Sequence, residues 1–245
     1  VMIPLRMILQ EASDRYGFET PFKNIKNLKE EKPDVHPFTL SEVWLFLNNV
    51  RADYKPYYTT RFFTGMRSSE IDGLKWENVD FDRREIKIRS AIVDGIEGPT
   101  KTYGSNREIV MSQLVYDALQ EQKRYTFGKS DYVFCNSQGK PLEHRNVNRR
   151  IWTPTLALLG IKHRRAYQTR HTAATLWLAA GENPEWIAKQ MGHSSTEMLF
   201  RVYSRYVPDM TRQDGSAMDS LLLASKQLAS EKNNDKQDNA KKDDD

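Results

Sequence analysis

The spacing of apolar residues changes period along this chain, and that change restricts the fold more than any other feature. In LSEVWLFLNNV (residues 40–50) and PYYTTRFFTG (56–65) the apolar side chains recur at helical spacing, which gathers them on one face. REIKIRSAIV (84–93) alternates instead and is rich in β-branched residues, so it reads as a strand. GPTKTY (98–103) and NREIVM (106–111) are two more strand pieces flanking the turn residues Gly104 to Asn106, which predicts a small hairpin or a three-stranded sheet. After Ser112, a helix cap, the helical period returns in QLVYDALQEQ (113–122), and DYVFCN (131–136) reads as a lone short strand. From Asn146 onward the pattern is helical, through VNRRIWTPTLALLG, TRHTAATLWLAAG, NPEWIAKQMG, STEMLFRVYSRYV and SAMDSLLLASKQLAS.

Local signals agree with these assignments. Thr39 and Glu42 form a Thr-x-x-Glu capping box ahead of the 40–50 helix, Gly65 breaks the next one, and Asn183 with Pro184 opens another. The fold class is therefore mainly α with a small antiparallel β-sheet (α+β). Residues 1–33 carry an apolar helical stripe and a lysine-rich connector, residues 34–210 form the main domain, 211–231 hold a last amphipathic helix, and 232–245 are a disordered polar tail. The chain starts at Val1, inside an amphipathic stretch and without an initiator methionine, so it reads as a piece of something longer.

With 245 residues, 38% of them apolar, the chain can bury the core of one sizeable domain with appendages. The formal charge of +4 understates the folded part, because the terminal EKNNDKQDNAKKDDD is acidic on balance. A basic domain suits a polyanionic partner. The single cysteine, Cys135, excludes an intramolecular disulfide or a cysteine-based zinc cluster and is expected to be a core thiol. No run approaches the roughly 20 apolar residues that span a bilayer, and there is no secretory pattern, so a cytoplasmic location with no membrane partner is expected.

Arginine recognises phosphate better than any other side chain, being always charged and planar with fixed donors. Arg67 and Arg170 each lie beside a helix boundary. Arg67 sits in FFTGMRSSEIDGLKWENVDF, Lys101 in GPTKTYGSNREIVM, Arg170 in YQTRHTAATLWLAAG, His193 in QMGHSST and Tyr203 in LFRVYSRY. In this order and spacing the series resembles the catalytic domain of the tyrosine recombinases, the integrases of phages and conjugative elements, over nearly all of residues 34–210. The resemblance implies the catalytic-domain fold of that family and site-specific cleavage and rejoining of DNA through a 3′-phosphotyrosyl intermediate, with no metal, ATP or other cofactor. It implies that Tyr203 attacks the scissile phosphate, that Arg67 and Arg170 hold its non-bridging oxygens, that Lys101 protonates the leaving 5′-oxygen, and that His193 donates to the phosphate or helps deprotonate the tyrosine. Glu70, three residues after Arg67, matches the family's supporting carboxylate.

The family's box reads His-x-x-Arg, whereas here Tyr167 occupies the first position, in YQTR. A tyrosine donates a hydrogen bond but is a poor base near neutral pH, which leaves open the group that deprotonates Tyr203. His171 does not fill the gap by motif and reads as a helix-packing histidine. Tyr206, three residues after Tyr203 and on the same helical face, competes as nucleophile and is expected to pack behind it. Backbone contacts to DNA are assigned to Arg145, Arg149, Arg150, Arg164 and Arg165, with Arg61, Lys75 and His163 as further candidates. The cluster HRNVNRR is favoured because it falls at a helix start, where backbone amides also suit phosphate.

The resemblance further implies double-stranded DNA attachment sites as substrate, a homotetramer on that DNA, a bacterial or phage-encoded origin and room for a directionality factor. It also makes residues 1–33 the end of an upstream core-binding domain and its linker. Two alternatives stay open at this point: DNA relaxation of the type IB topoisomerase kind, and a DNA-binding module without catalysis.

Overall fold

The computed structural model describes residues 2–22, 35–93, 95–99 and 106–203. The chain divides into two units, Val1–Asp34 and Val35–Asp245. In the first, helix α1 (Met2–Tyr16) forms where the apolar stripe predicts it, tied along its surface by an Arg15–Glu11 ion pair.

The second unit begins with the predicted capping box. The Thr39 hydroxyl accepts from the Glu42 backbone N–H, and the Glu42 carboxylate accepts from the Thr39 backbone N–H at 2.8 Å, which starts α2 (Leu40–Asn49). Helix α3 (Lys55–Thr64) has Pro56 in its first turn and ends at Gly65, whose φ of 62° is left-handed. Its seven successive residues from Pro56 to Phe62 are all buried, so this helix runs through the middle of the unit. Around it Phe38, Phe46, Tyr58, Phe62 and Trp152 pack ring against ring, with Phe46 and Trp152 at 4.8 Å and Tyr58 and Trp152 at 5.4 Å between centroids. Such pairs add about 0.5–1.5 kcal/mol each beyond the area they bury.

Helix α4 (Ser68–Asp72) leads to an antiparallel three-stranded sheet in the order β1 (Val79–Asp80), β2 (Glu85–Ile88), β5 (Arg107–Val110). Ile86 faces Ile109 and Ile88 faces Arg107 across the β2–β5 pair. The expected strand 84–93 is in fact two. It breaks at Arg89, whose guanidinium folds back onto the carbonyls of Ile88 and Arg107, and β3 (Ser90–Val93) then turns at Gly95 to pair with β4 (Ile96–Pro99). The hairpin thus closes at Gly95, and the turn expected at Gly104 to Asn106 lies largely outside the described residues.

DYVFCN is not a strand of any ladder. Tyr132 makes a single antiparallel bridge with Lys75 and Cys135 another with Pro141, while the Val133 carbonyl accepts from the side chains of Gln122 and Thr126. Cys135 is half-buried rather than core.

Helix α5 (Gln113–Thr126) starts at Ser112 as expected. Helices α6 (His144–Val147) and α7 (Thr153–Leu158) are joined without a break by one π turn, Asn148–Trp152. Helices α8 (Gln168–Ala179), α9 (Pro184–Met191) and α10 (Thr196–Tyr203) then build a second, smaller core from Val35, Ala174, Leu178, Ile187, Met191, Leu199 and Tyr203. Among the described residues no helix is long and apolar enough to cross a membrane. The mainly α fold with a small antiparallel sheet is the one expected.

Candidate active site

The start of α4 and strand β5 bring their arginines onto one buried carboxylate, with the end of α3, the start of α8 and the end of α9 closing around them. Glu70 is 2% exposed. It sits at the third position of α4, and its carboxylate turns back to accept from the Arg67 backbone N–H at 2.8 Å and from Arg67 Nη1 at 2.7 Å. From the other side Arg107, on β5, grips the same carboxylate with both terminal nitrogens, at 3.0 and 2.8 Å. Burial by itself would raise the Glu70 pKa, but the hydrogen bonds and charge of Arg107 and Arg67 outweigh it and leave the group at about 2. The carboxylate is therefore ionised, and Arg67 is fixed in direction with 23% of its side chain still open to solvent.

The C-terminal turn of α9 closes the site. Arg107 Nε donates to the Gln190 carbonyl at 2.6 Å, and Arg67 Nη2 donates to the Gly192 carbonyl at 3.3 Å. Gly192 holds a φ of +66°, which favours glycine, and a Cβ there would lie 3.1 Å from Arg107 Nη1, so a side chain would push the Arg107 guanidinium by a few tenths of an ångström. Arg170, on α8 and 2% exposed, donates to the Gly65 carbonyl at 2.5 Å and to the Met191 carbonyl at 2.6 Å. It ties the residue that ends α3 to the residue that ends α9. Desolvation lowers its pKa to about 10, which leaves it charged at neutral pH. Three guanidiniums, Arg67, Arg107 and Arg170, thus surround one carboxylate, Glu70, an excess of two positive charges. A bound dianion or phosphodiester is the natural complement.

The histidines of the site are neutral. His193 follows Gly192, and desolvation, then the charges of Arg170, Arg67 and Arg107, lower its pKa to about 4. Its Nδ1 is buried and has no hydrogen-bond partner among the described residues. His171 is likewise lowered to about 4, by desolvation and then by Arg170.

Tyr203, on α10, is 2% exposed, and its hydroxyl meets His171 Nδ1 at 2.8 Å. Desolvation pushes its pKa up, against the pull of Arg170. The ring of Tyr167 stands edge-on to His171, with centroids 5.3 Å apart.

Most of the residues expected at the site are brought together, namely Arg67, Glu70, Tyr167, Arg170, His193 and Tyr203. Lys101 and Tyr206 lie outside the described residues. His171 departs from the packing role expected of it, because α8 presents it to the Tyr203 hydroxyl. Arg107 was missed as well. It shares the inward parity of Ile109 and Met111 in an alternating strand, and an arginine at such a position implies a buried anionic partner.

Of the arginines expected to touch DNA, Arg145, Arg149, Arg150 and Arg165 are exposed, the first three on α6 and the π turn. Arg164 is a correction. It pairs with Glu42 at 2.9 Å and lies over the Phe38 ring at 4.3 Å, so it fastens the start of α2 instead of facing a ligand. Arg61 is also corrected: it is buried, donating to the Tyr57 hydroxyl, Ser68 and the Ala166 carbonyl. Lys75 is held by Glu97 at 2.7 Å.

The comparisons with known proteins point the same way as this geometry. The phage integrase family matches residues 48–208. The chain is 27% identical over 227 residues to the prophage integrase IntR of Escherichia coli K12, covering 82% of this chain and 55% of that protein. To IntQ of the same strain, which carries the description of a defective protein, it is 29% identical over 236 residues, covering 85% of this chain and 59% of that one. It thus spans somewhat over half the length of the curated relatives it matches. Among solved structures, the integrase of transposon Tn1549 in complex with circular intermediate DNA superposes with a TM-score of 0.68 at 21% identity, over 86% of this chain and 75% of the other. The match to well over half of the sequence and the agreement in fold decide the matter: the chain belongs to the phage integrase family.

Proposed function

We propose that this chain carries out site-specific DNA recombination, cutting and rejoining strands through a 3′-phosphotyrosyl intermediate without metal or ATP. The observation that carries the reading is the group of Arg67, Arg107 and Arg170 fixed around buried Glu70, next to a tyrosine whose hydroxyl is already hydrogen-bonded to a neutral histidine. A phosphodiester seated there would gain positive charge on its non-bridging oxygens from Arg67 and Arg170, and that charge binds the pentavalent transition state more strongly than the ground state. Tyr203 is the nucleophile. Lys101 protonates the leaving 5′-oxygen, and His193, with its free buried nitrogen and low pKa, supplies a hydrogen bond to the phosphate.

Storing the bond energy in the phosphotyrosyl ester lets the reverse step rejoin strands without another energy source. Arg145, Arg149, Arg150 and Arg165 contact the backbone of a double-stranded attachment site, and the active assembly is a homotetramer on DNA, open to a directionality factor. The setting is the bacterial cytoplasm. Residues 1–33 belong to the end of an upstream DNA-clamping domain and its linker, and 211–231 pack onto a neighbouring protomer.

Mixing two duplexes taken from the flanks of the gene with supercoiled plasmid, in EDTA, tests the reaction class. Joined recombinant strands are expected. Relaxation of the plasmid with no joined product would replace the proposal by a topoisomerase activity, and binding without either product would leave a DNA-binding module.

A further inference from the structure

Attack by a tyrosine requires that its proton leave, and in this chain the usual first histidine of the family's box is Tyr167. The phenol of Tyr203 is buried, and burial raises its pKa, so it does not ionise unaided at neutral pH. Its hydroxyl touches the Nδ1 of His171 at 2.8 Å, with the two rings 5.6 Å apart. His193, the other histidine of the site, sits among the charges of Arg67, Arg107 and Arg170 and has no hydrogen bond to Tyr203 among the described residues. The ring of Tyr167 packs edge-on against that of His171, with centroids 5.3 Å apart.

We infer that His171 is the general base of the cleavage step, taking over through Nδ1 the proton that the residue at position 167 cannot accept; the inference rests on the recombinase reading above. With its proton on Nε2, the neutral imidazole accepts from the Tyr203 hydroxyl. As the Tyr203 oxygen bonds to phosphorus, its O–H bond breaks and the proton passes to His171 Nδ1. The bond from phosphorus to the 5′-oxygen breaks, and that oxygen takes a proton from Lys101. On rejoining, the 5′-hydroxyl attacks, its proton returns to Lys101, and the imidazolium returns its own to the departing tyrosine, so no co-reactant is consumed.

The groups facing His171 are Tyr167 and Arg170 on its own helix, Tyr203 on α10 and His193 after α9. Desolvation first, and then the positive charge of Arg170, disfavour the imidazolium, so the resting imidazole keeps an open nitrogen; the same effects work against its protonation, so the proton moves in concert with attack on the phosphate. Geometry selects the base, and desolvation with charge keeps it unprotonated at rest.

The test is single-turnover formation of the covalent adduct on a nicked attachment-site duplex, from pH 5 to 9, by wild type, His171→Ala and His171→Gln. Affinity for the same duplex, measured with each variant in a Tyr203→Phe background, shows whether the site still folds. The expected result is an adduct rate about 100-fold or more lower in His171→Ala at unchanged affinity, partly restored by added imidazole, with a changed pH profile. Rates within about threefold of wild type, or a loss that His171→Gln repairs and imidazole does not, overturn the assignment of His171 as base. If wild type binds the duplex and forms no adduct, the recombinase reading itself falls and this inference with it.

Discussion

Replacing Glu70 with glutamine separates two things that this carboxylate does, holding the fold and aiming an arginine. Glu70 accepts four hydrogen bonds, from the backbone and side chain of Arg67 and from both terminal nitrogens of Arg107, and it is shielded from water. A pKa that falls from the ordinary 4.5 to about 2 corresponds to about 3 kcal/mol of stability at neutral pH. The folded pKa is depressed, so this contribution is complete above pH 4.5 and is lost as pH falls toward 2. Glutamine keeps the shape but leaves the buried Arg107 charge uncompensated, and breaking a buried pair in that way costs about 3–5 kcal/mol. For a domain of this size that lowers Tm by roughly 6–20 °C. Urea unfolding followed by tryptophan fluorescence at a series of pH values measures it. The difference between wild type and Glu70→Gln should be about 3 kcal/mol or more at pH 7 and shrink between pH 5 and 3. A difference below about 1 kcal/mol at pH 7, or one that does not narrow in acid, would refute the view that Glu70 is the charged keystone of the site.

Gly192→Ala forces a side chain into a left-handed backbone within 3.1 Å of Arg107 Nη1; a loss of about 1–2 kcal/mol in thermal unfolding and a weaker hold on Arg67 are expected. Arg170→Lys replaces a fork that reaches both Gly65 and Met191 by a single ammonium, so a loss of about 1–3 kcal/mol in stability together with loss of adduct formation should be seen. His171 and His193 should titrate near pH 4 by NMR in the DNA-free protein. Because both are depressed from 6.5, stability should be fully present above 6.5 and decline as pH falls toward 4. Arg164→Ala should lower Tm with little change in DNA affinity, whereas Arg149→Ala and Arg150→Ala should leave Tm alone and each reduce the salt dependence of DNA binding by about one phosphate contact.

The helices were legible because their signals are local. Thr39 with Glu42, Gly65, Ser112 and Asn183 with Pro184 mark boundaries by backbone chemistry that does not depend on the rest of the fold. Strand pairing was less legible, since it is decided by what lies opposite. The period through 84–93 is continuous, and only the Arg89 side chain, folding onto carbonyls of two strands, reveals the break. Burial of charge was the hardest to read. Arg61, Arg164 and Arg107 are indistinguishable from surface arginines until Tyr57, Glu42 and Glu70 are seen beside them. The site was legible as a set of motifs, Arg67, Arg170, His193 and Tyr203, but not as a proton path. His171 faces Tyr203 because α10 packs across α8, and no spacing in the sequence carries that contact.

Recombination by this chain requires that Tyr203 become covalently joined to DNA. The direct measurement is trapping on nicked attachment-site duplexes in EDTA, with wild type, Tyr203→Phe and Tyr206→Phe, followed by mass spectrometry of the linked peptide. The expected result is a 3′-phosphotyrosyl adduct on Tyr203, formed by wild type and Tyr206→Phe and absent from Tyr203→Phe. An adduct that maps to Tyr206, or none at all on DNA that the protein binds, would contradict it.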